Sequence, residues 1–355
     1  PAGTAGGVVA IKEYANTFDT NKCTITPNGS DKIGSVADSA VLDVEGIAVT
    51  FVFVDSTQGW LVTDSGLQSE LPIPAFITAT GGTITTVCTN YKVHTFTGPG
   101  TFTVCSVGNS QGSNEVSYMV VAGGGSAGNN YGGGGGGGGF REGKTPQCSY
   151  TSSPLACTSG SNNGLPVAAT GYPIVVGAGG TATTPSNTGN KGSDSSFSTI
   201  TSTGGGFGGG AAGSPGGAGG SGGGSSNSPS SAGAGNTPSV SPSQGNPGGT
   251  SPLSNEAGGG GGAGAAGATN GTGGDGAQTS INSSATYYSG GAGGYSNVIG
   301  ATRPGGQGGA GGGPTPAGGP FAGVANTGGG SAYNPAPGGN EAGGSGIVII
   351  RYRFQ

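Results

Sequence analysis

Residues 123–344 hold 73 of the chain's 88 glycines, while Leu, Ile, Val and Phe together fill only 17 of those 222 positions. No other stretch limits the fold so severely. So little apolar surface cannot offset the entropy of ordering a chain, and glycine loses the most on folding. Composition alone therefore describes a flexible linker. Charge is scarce too, with ten Lys and Arg and fifteen Asp and Glu in 355 residues, whereas disordered chains combine low hydrophobicity with high net charge. If the tract folds, its cohesion must come from the backbone. An extended left-handed helix has about three residues per turn and no internal hydrogen bonds, so its amides and carbonyls point outward and need partners. Without Cβ atoms, several such helices can lie side by side and bond directly. The spacing fits: Gly210, Gly213, Gly216, Gly219 and Gly222 fall every third residue, as do Gly258, Gly261, Gly264 and Gly267. Collagen would need that register unbroken and rich in Pro. These short runs predict a polyglycine-II helix bundle folded within one chain.

A length of 355 residues leaves room for two or three domains, and the net charge is −5. With no basic patch, no nucleic acid is expected as a partner. No apolar run approaches the roughly 18–20 residues of a membrane-spanning helix, so no membrane insertion is expected. The chain begins at Pro1 and reads as a fragment or processed product. Cys23, Cys88, Cys105, Cys148 and Cys157 are odd in number, so at least one thiol stays unpaired within the chain. Cys88–Cys105 and Cys148–Cys157 are local disulfide candidates in an oxidising environment; buried or free thiols are the alternative. There is no C-x-x-C and His94 is the sole histidine, so neither metal nor cofactor is expected.

In chain order, residues 1–64 read as an N-terminal β-module for oligomerisation and attachment. Strands are predicted at 8–11, 23–26, 47–54 and 58–62, with a turn at Pro27-Asn28-Gly29. Residues 65–82, with Pro72 and Pro74, read as a linker. Residues 83–122 form a β-hairpin module in which 92–97 and 101–104 flank Gly98-Pro99-Gly100. The glycine-rich domain occupies 123–344, interrupted by apolar islands at 172–177 and 196–200. Residues 345–355 supply a closing strand expected to pair with 116–121. The fold class is thus mostly β: small β-modules, then a glycine helix bundle closed by a C-terminal strand.

Formal motif matches carry little chemistry. Residues 138–145 fit G-x-x-x-x-G-K-T, but that loop needs a preceding strand and a following helix. Here glycines precede it and Pro146 follows. Gly124-x-Ser126-x-Gly128 and Gly219-x-Ser221-x-Gly223 match a nucleophile elbow, as glycine-rich text does by chance. His94 reads as a solvent-facing strand residue. Asp38, Asp43, Glu45, Asp55 and Asp64 sit mostly beside turns, where carboxylates accept backbone amides. No catalysis is expected. The residues that stand out are aromatics in the tract with little core to enter: Tyr287, Tyr288, Tyr295, Phe321 and Tyr333. Exposed Tyr suits recognition, with a broad face and a hydrogen-bonding tip; capping the bundle's faces is the alternative.

Several strings resemble one family. IGSVADSAVLDVEGIAVTFVFVDSTQGW (33–60), ATGGTITTVCTNYKVHTFTGPGTFTV (79–104), YYSGGAGG (287–294) and GGSGIVIIRYRFQ (343–355) look like segments of glycine-rich tail-fibre and adhesin-type structural proteins of marine tailed phages and related algal viruses. The inserted loop at 148–157 and the Ser/Pro-rich 225–255 segment depart from that pattern. The resemblance implies a homotrimeric viral fibre protein, extracellular on the virion, whose glycine-rich head binds the host surface. Its implied partners are copies of itself, other virion proteins through the N-terminal module, and a host cell-surface polysaccharide or outer-membrane protein. Receptor-binding candidates are Tyr287, Tyr288, Tyr295, Phe321 and Tyr333. The alternative is a purely structural decoration or filament subunit.

Overall fold

A computed structural model describes residues 2–67, 74–109, 112–157, 164–182, 188–211, 213–251, 256–297, 303–313, 321–334 and 341–355. Among them the fold is all-β, with several small sheets, no helix and no closed barrel. The chain divides into two units, Pro1–Pro74 and Ala75–Gln355.

In the first unit, Val8–Lys12, Ile47–Asp55 and Gly59–Leu67 form an antiparallel sheet with Ile47–Asp55 in the middle. Alternation along the central strand sends Val49, Phe51 and Phe53 inward, where they meet Leu42 and Trp60. The Asp55 carboxylate accepts the amides of Thr57 (2.8 Å) and Gln58 (2.7 Å), closing the hairpin turn. The strand runs on to Leu67, so 65–67 are sheet and not linker; Pro72 lies outside the described residues.

The second unit contains a seven-stranded and a five-stranded sheet. In the larger, Glu115–Val121 pairs with Ile347–Arg353, which pairs with Tyr91–Phe96. The closing strand therefore meets 116–121 as the sequence predicts, with Val121 opposite Ile347. In the smaller, Gly100–Ser106 lies between Thr78–Thr80 and Gly171–Val175. One core cluster draws Phe96, Tyr118, Val120, Ile350 and Tyr352 from the first sheet and Phe102, Val104, Ile174 and Phe197 from the second. A second cluster takes the alternate residues Met119, Val121 and Ile349, together with Phe140, Ile281 and Tyr288. The strand Glu115–Val121 is thus apolar on both faces because both are covered.

The hairpin expected across Gly98-Pro99-Gly100 does not form. Tyr91–Phe96 already has neighbours on both sides, Thr83–Val87 and Ile347–Arg353. The chain instead crosses to the second sheet, so Phe96 and Phe102 meet through the core. His94 is likewise not solvent-facing. Its ring is wholly buried, 2.8 Å from the Gly81 carbonyl and 3.1 Å from the Tyr352 hydroxyl, edge-on to Phe102. Burial holds its pKa below the ordinary value, against the Gly81 hydrogen bond. The Gly81 oxygen can only accept, so Nδ1 carries the proton and Nε2 accepts from Tyr352.

The glycine tract is built around residues 132–139, all buried. Gly133, Gly136 and Gly139 donate in turn to the carbonyls of Gly209, Gly206 and Thr203. Gly134 and Gly137 donate to Gly258 and Gly261; Gly135 and Gly138 donate to Ser331 and Gly328. Carbonyls on the same run accept from Ala122, Gly125 and Gly128, from Ser221 and Gly224, and from Ala292. Partners along the central run recur every third residue, and six surrounding segments share it. Cβ atoms have no room: one built on Gly125, Gly135 or Gly261 would stand 2.1–2.2 Å from a carbonyl oxygen of another segment. The triplet runs are shorter than the sequence predicts. Gly213 sits in a left-handed turn (φ 82°) with open space around it, and the chain bends at residues 263–265.

Candidate functional site

The five aromatic candidates do not form one site. Tyr287 and Tyr288 lie in the strand Thr286–Tyr288, paired with Ala277–Thr279. Successive residues face opposite sides: Tyr288 enters the second core cluster, while half-buried Tyr287 borders a groove of about 410 Å³ with Pro154 and Leu155. Burial raises the Tyr288 phenol's pKa, against a hydrogen bond with Thr286. Tyr288 therefore belongs to the core and not to a recognition loop. Phe321 is half-buried, and its carbonyl accepts the Ala332 amide at 2.7 Å, next to Tyr333.

Tyr295 and Tyr333 do come together, joined by Tyr131, which composition did not single out. Tyr295 stands edge-on to Tyr131 (centroids 4.7 Å) and to Tyr333 (5.4 Å). Backbone bonding places them: the Tyr295 amide donates to the Gly132 carbonyl at 3.1 Å, and the Ala257 amide donates to the Tyr295 carbonyl at 2.9 Å. The rings stand where glycine segments end. Tyr131 is 44% exposed. Burial, and then the neighbouring phenols, push the Tyr295 and Tyr333 hydroxyls above their ordinary pKa. Beside it Arg303 and Glu256 form an ion pair, each side chain largely covered, with Ser296 Oγ 3.4 Å from the guanidinium. The sequence signal for Tyr131 is its position directly before the eight-glycine run, a segment bonded to six others.

A second polar cluster is internal. The Glu142 carboxylate accepts from Thr279 Oγ1 (2.6 Å) and the Ser153 amide (2.9 Å). Burial nonetheless raises its pKa, against those hydrogen bonds. Arg351 is wholly buried, stacked 4.6 Å over Tyr91, and donates to the carbonyls of Ile281 (3.1 Å) and Ser149 (3.0 Å). These charges tie the 144–157 loop and the 277–288 hairpin to the large sheet. Arg351 interrupts the apolar strand Ile347–Arg353, which is its signal in the sequence; Glu142, in the strand Phe140–Gly143, has no such signal.

The remaining candidates separate. All five cysteines are free thiols, so the Cys88–Cys105 and Cys148–Cys157 bridges are not formed. Cys88 follows a strand of the large sheet and Cys105 lies in the small one. Buried Cys148 turns its thiol to the Arg351 carbonyl at 3.6 Å. Phe140–Gly143 is a strand, and no helix follows Lys144 and Thr145. Ser126 and Ser221 are both wholly buried. Among the described residues, no three His, Cys, Asp or Glu side chains gather as around a metal ion.

The glycine-rich domain family matches residues 96–353, and the chain belongs to that family. No curated protein sequence matches it.

Proposed function

We propose that the glycine segments are left-handed threefold helices of the polyglycine-II type, bundled around residues 132–139. The period-three recurrence of hydrogen-bond partners along Gly133, Gly136 and Gly139 supports this reading. Such a bundle is a rigid frame whose ends can carry exposed side chains.

The chain, in our reading, is a viral fibre or adhesin structural protein, acting as a homotrimer on the virion. Its glycine-rich head binds the host surface by contact, without catalysis. The observation that carries this is the Tyr131–Tyr295–Tyr333 cluster, accessible rings on a frame otherwise made of backbone. Buried recognition tyrosines cost about 2 kcal/mol or more when truncated, roughly thirtyfold in affinity. The test is a Tyr295→Ala, Tyr333→Ala double variant, checked for an unchanged melt and then measured for adsorption to marine bacterial or algal cells. Adsorption should fall at least thirtyfold; wild-type adsorption by a folded double variant rejects the reading.

A second reading, a decoration or filament subunit, draws on the first unit. Val8, Val54 and Val62 are 61%, 43% and 54% exposed there, and valines so placed suit packing against copies of the chain. Under that reading the double variant adsorbs normally, and substitutions at Val54 and Val62 block assembly.

A further inference from the structure

We infer that the Tyr131–Tyr295–Tyr333 cluster is a binding site for a neutral sugar, an inference that rests on the host-surface reading and names the chemistry of its ligand. Three features carry it. The first is the rings themselves. Tyr295 is flanked edge-on by both neighbours, and Tyr131 keeps 44% of its surface open. A pyranose has one face of C–H groups, which an aromatic face accepts, and a rim of hydroxyls.

The second is charge. Burial keeps the Tyr295 and Tyr333 phenols protonated, and the neighbouring Arg303 and Glu256 are spent on each other. An anionic or cationic ligand would lose its hydration here for no opposite charge. A sugar needs groups that both donate and accept. Asn129 and the exposed Asn130, on the turn that carries Tyr131, are side chains of that kind.

The third is the backbone that carries Tyr131. Asn130 (φ 55°) and Tyr131 (φ 67°) are both left-handed. That conformation is uncommon for any side chain and an outlier for a bulky one. A turn serving only to reverse the chain would favour Asn or Gly at 130 and Gly at 131. Tyr at 131 is held there against its own preference and set against Tyr295. Such outliers are kept where a side chain's placement matters.

The experiment uses the full chain. Affinity electrophoresis is run in gels containing mannan, laminarin or dextran as neutral probes and alginate as an acidic one. At least one neutral polysaccharide should retard the chain, and alginate should not. Tyr131→Gly relieves the left-handed residue, so its Tm should equal or exceed that of the wild type while retardation weakens tenfold or more. Tyr131→Asn, which also tolerates the conformation, repeats the test if the Gly variant is unstable. No retardation by any neutral probe, equal retardation by alginate, or full retardation of both stable variants overturns the proposal. Cells separate it from the reading beneath it. Adsorption lost after periodate cleaves sugar diols, but kept after protease, supports the sugar. Adsorption lost only after protease overturns the sugar and leaves the host-surface reading standing. Undiminished adsorption by a folded Tyr131→Gly variant rejects both.

Discussion

Two regions of the second unit are held together by opposite means. In the sheets, wholly buried Phe102, Phe197, Ile174 and Ile350 fill the space between layers, and cohesion comes from apolar area removed from water. Around residues 132–139 there is almost nothing but backbone, and the amides of 133–139 each donate to a carbonyl on another segment. The first region fails when atoms are taken away. The second fails when atoms are added, because its segments lie closer than any Cβ allows. This is why a tract with so few apolar residues can be ordered at all: it trades side-chain burial for completed backbone hydrogen bonding.

The largest effect should therefore come from the smallest residue. Gly261 donates to Gly222 at 2.8 Å, and a Cβ on it would lie 2.2 Å from the Asn246 carbonyl oxygen. Gly261→Val forces segments apart, adding overpacking of about 1–3 kcal/mol to several lost hydrogen bonds of roughly 0.5–1.5 kcal/mol each. We expect loss of the cooperative urea transition of the second unit. Gly98 has no atom within 4 Å of its would-be Cβ, and Gly98→Ala should change stability by no more than about 0.5 kcal/mol. Equal tolerance at both positions would show that close backbone approach is not what holds the tract.

Next in size is the reverse operation. Phe102→Ala should cost about 3–5 kcal/mol by urea denaturation, as ring deletions in a filled core do. A cost below about 1 kcal/mol would mean that the sheets do not rely on packing.

The sequence revealed these two regions unequally. Continuous β-branched and aromatic runs located Ile47–Asp55 and Ile347–Arg353, and the closing strand pairs with 116–121, the apolar run at the tract's other end. Which sheet a strand joins was not legible. The strands Tyr91–Phe96 and Gly100–Ser106 look like a hairpin locally, yet their neighbours are fixed by chain some 70 and 250 residues further on, Gly171–Val175 and Ile347–Arg353. In the tract, period three was visible but its ends were not, because Gly213 and Gly264 read the same in a turn as in a run. Ser226 looks like a loop residue, yet it is wholly buried and its Oγ accepts the Ser214 amide at 2.9 Å. Of the candidate site, Tyr295 and Tyr333 were legible from scarcity of core. Tyr131 needed the knowledge that residues 132–139 are central.

A smaller effect sits where the regions join, at Glu142. Its carboxyl is buried and its pKa is raised, so the folded chain binds the proton more tightly than the unfolded one. Stability from this group is fully present below the unfolded pKa, near 4.5, and is lost as pH rises through the folded value. Glu142→Gln keeps the shape and an acceptor for Thr279 but cannot ionise. Relative to this variant, the wild-type Tm should fall as pH increases from 4.5 towards neutrality. Parallel Tm profiles would show that Glu142 is not desolvated on folding.

The smallest effect is expected at Tyr287, whose neighbour Tyr288 is a core residue, so the pair tests the comparison at a single peptide bond. Tyr288 points into the cluster with Met119, Phe140 and Ile349, and its hydroxyl is 3.4 Å from Asn282 Nδ2. Tyr287 points away, over an open groove. Their backbones share one short ladder, so Ala at either position leaves the hydrogen bonds with Ala277–Thr279 intact. Tyr288→Ala should cost about 3 kcal/mol or more as a core deletion. Tyr287→Ala should stay within roughly 0.5 kcal/mol, since surface substitutions away from caps and networks rarely exceed that. Differential scanning calorimetry on the two variants reads both at once. A large loss at Tyr287 would mean that its ring seals the groove against Pro154 and Leu155, and that side-chain packing extends outward past the hairpin. A null effect at both would place the whole 277–288 hairpin outside the cooperative unit, leaving the large sheet to fold without it.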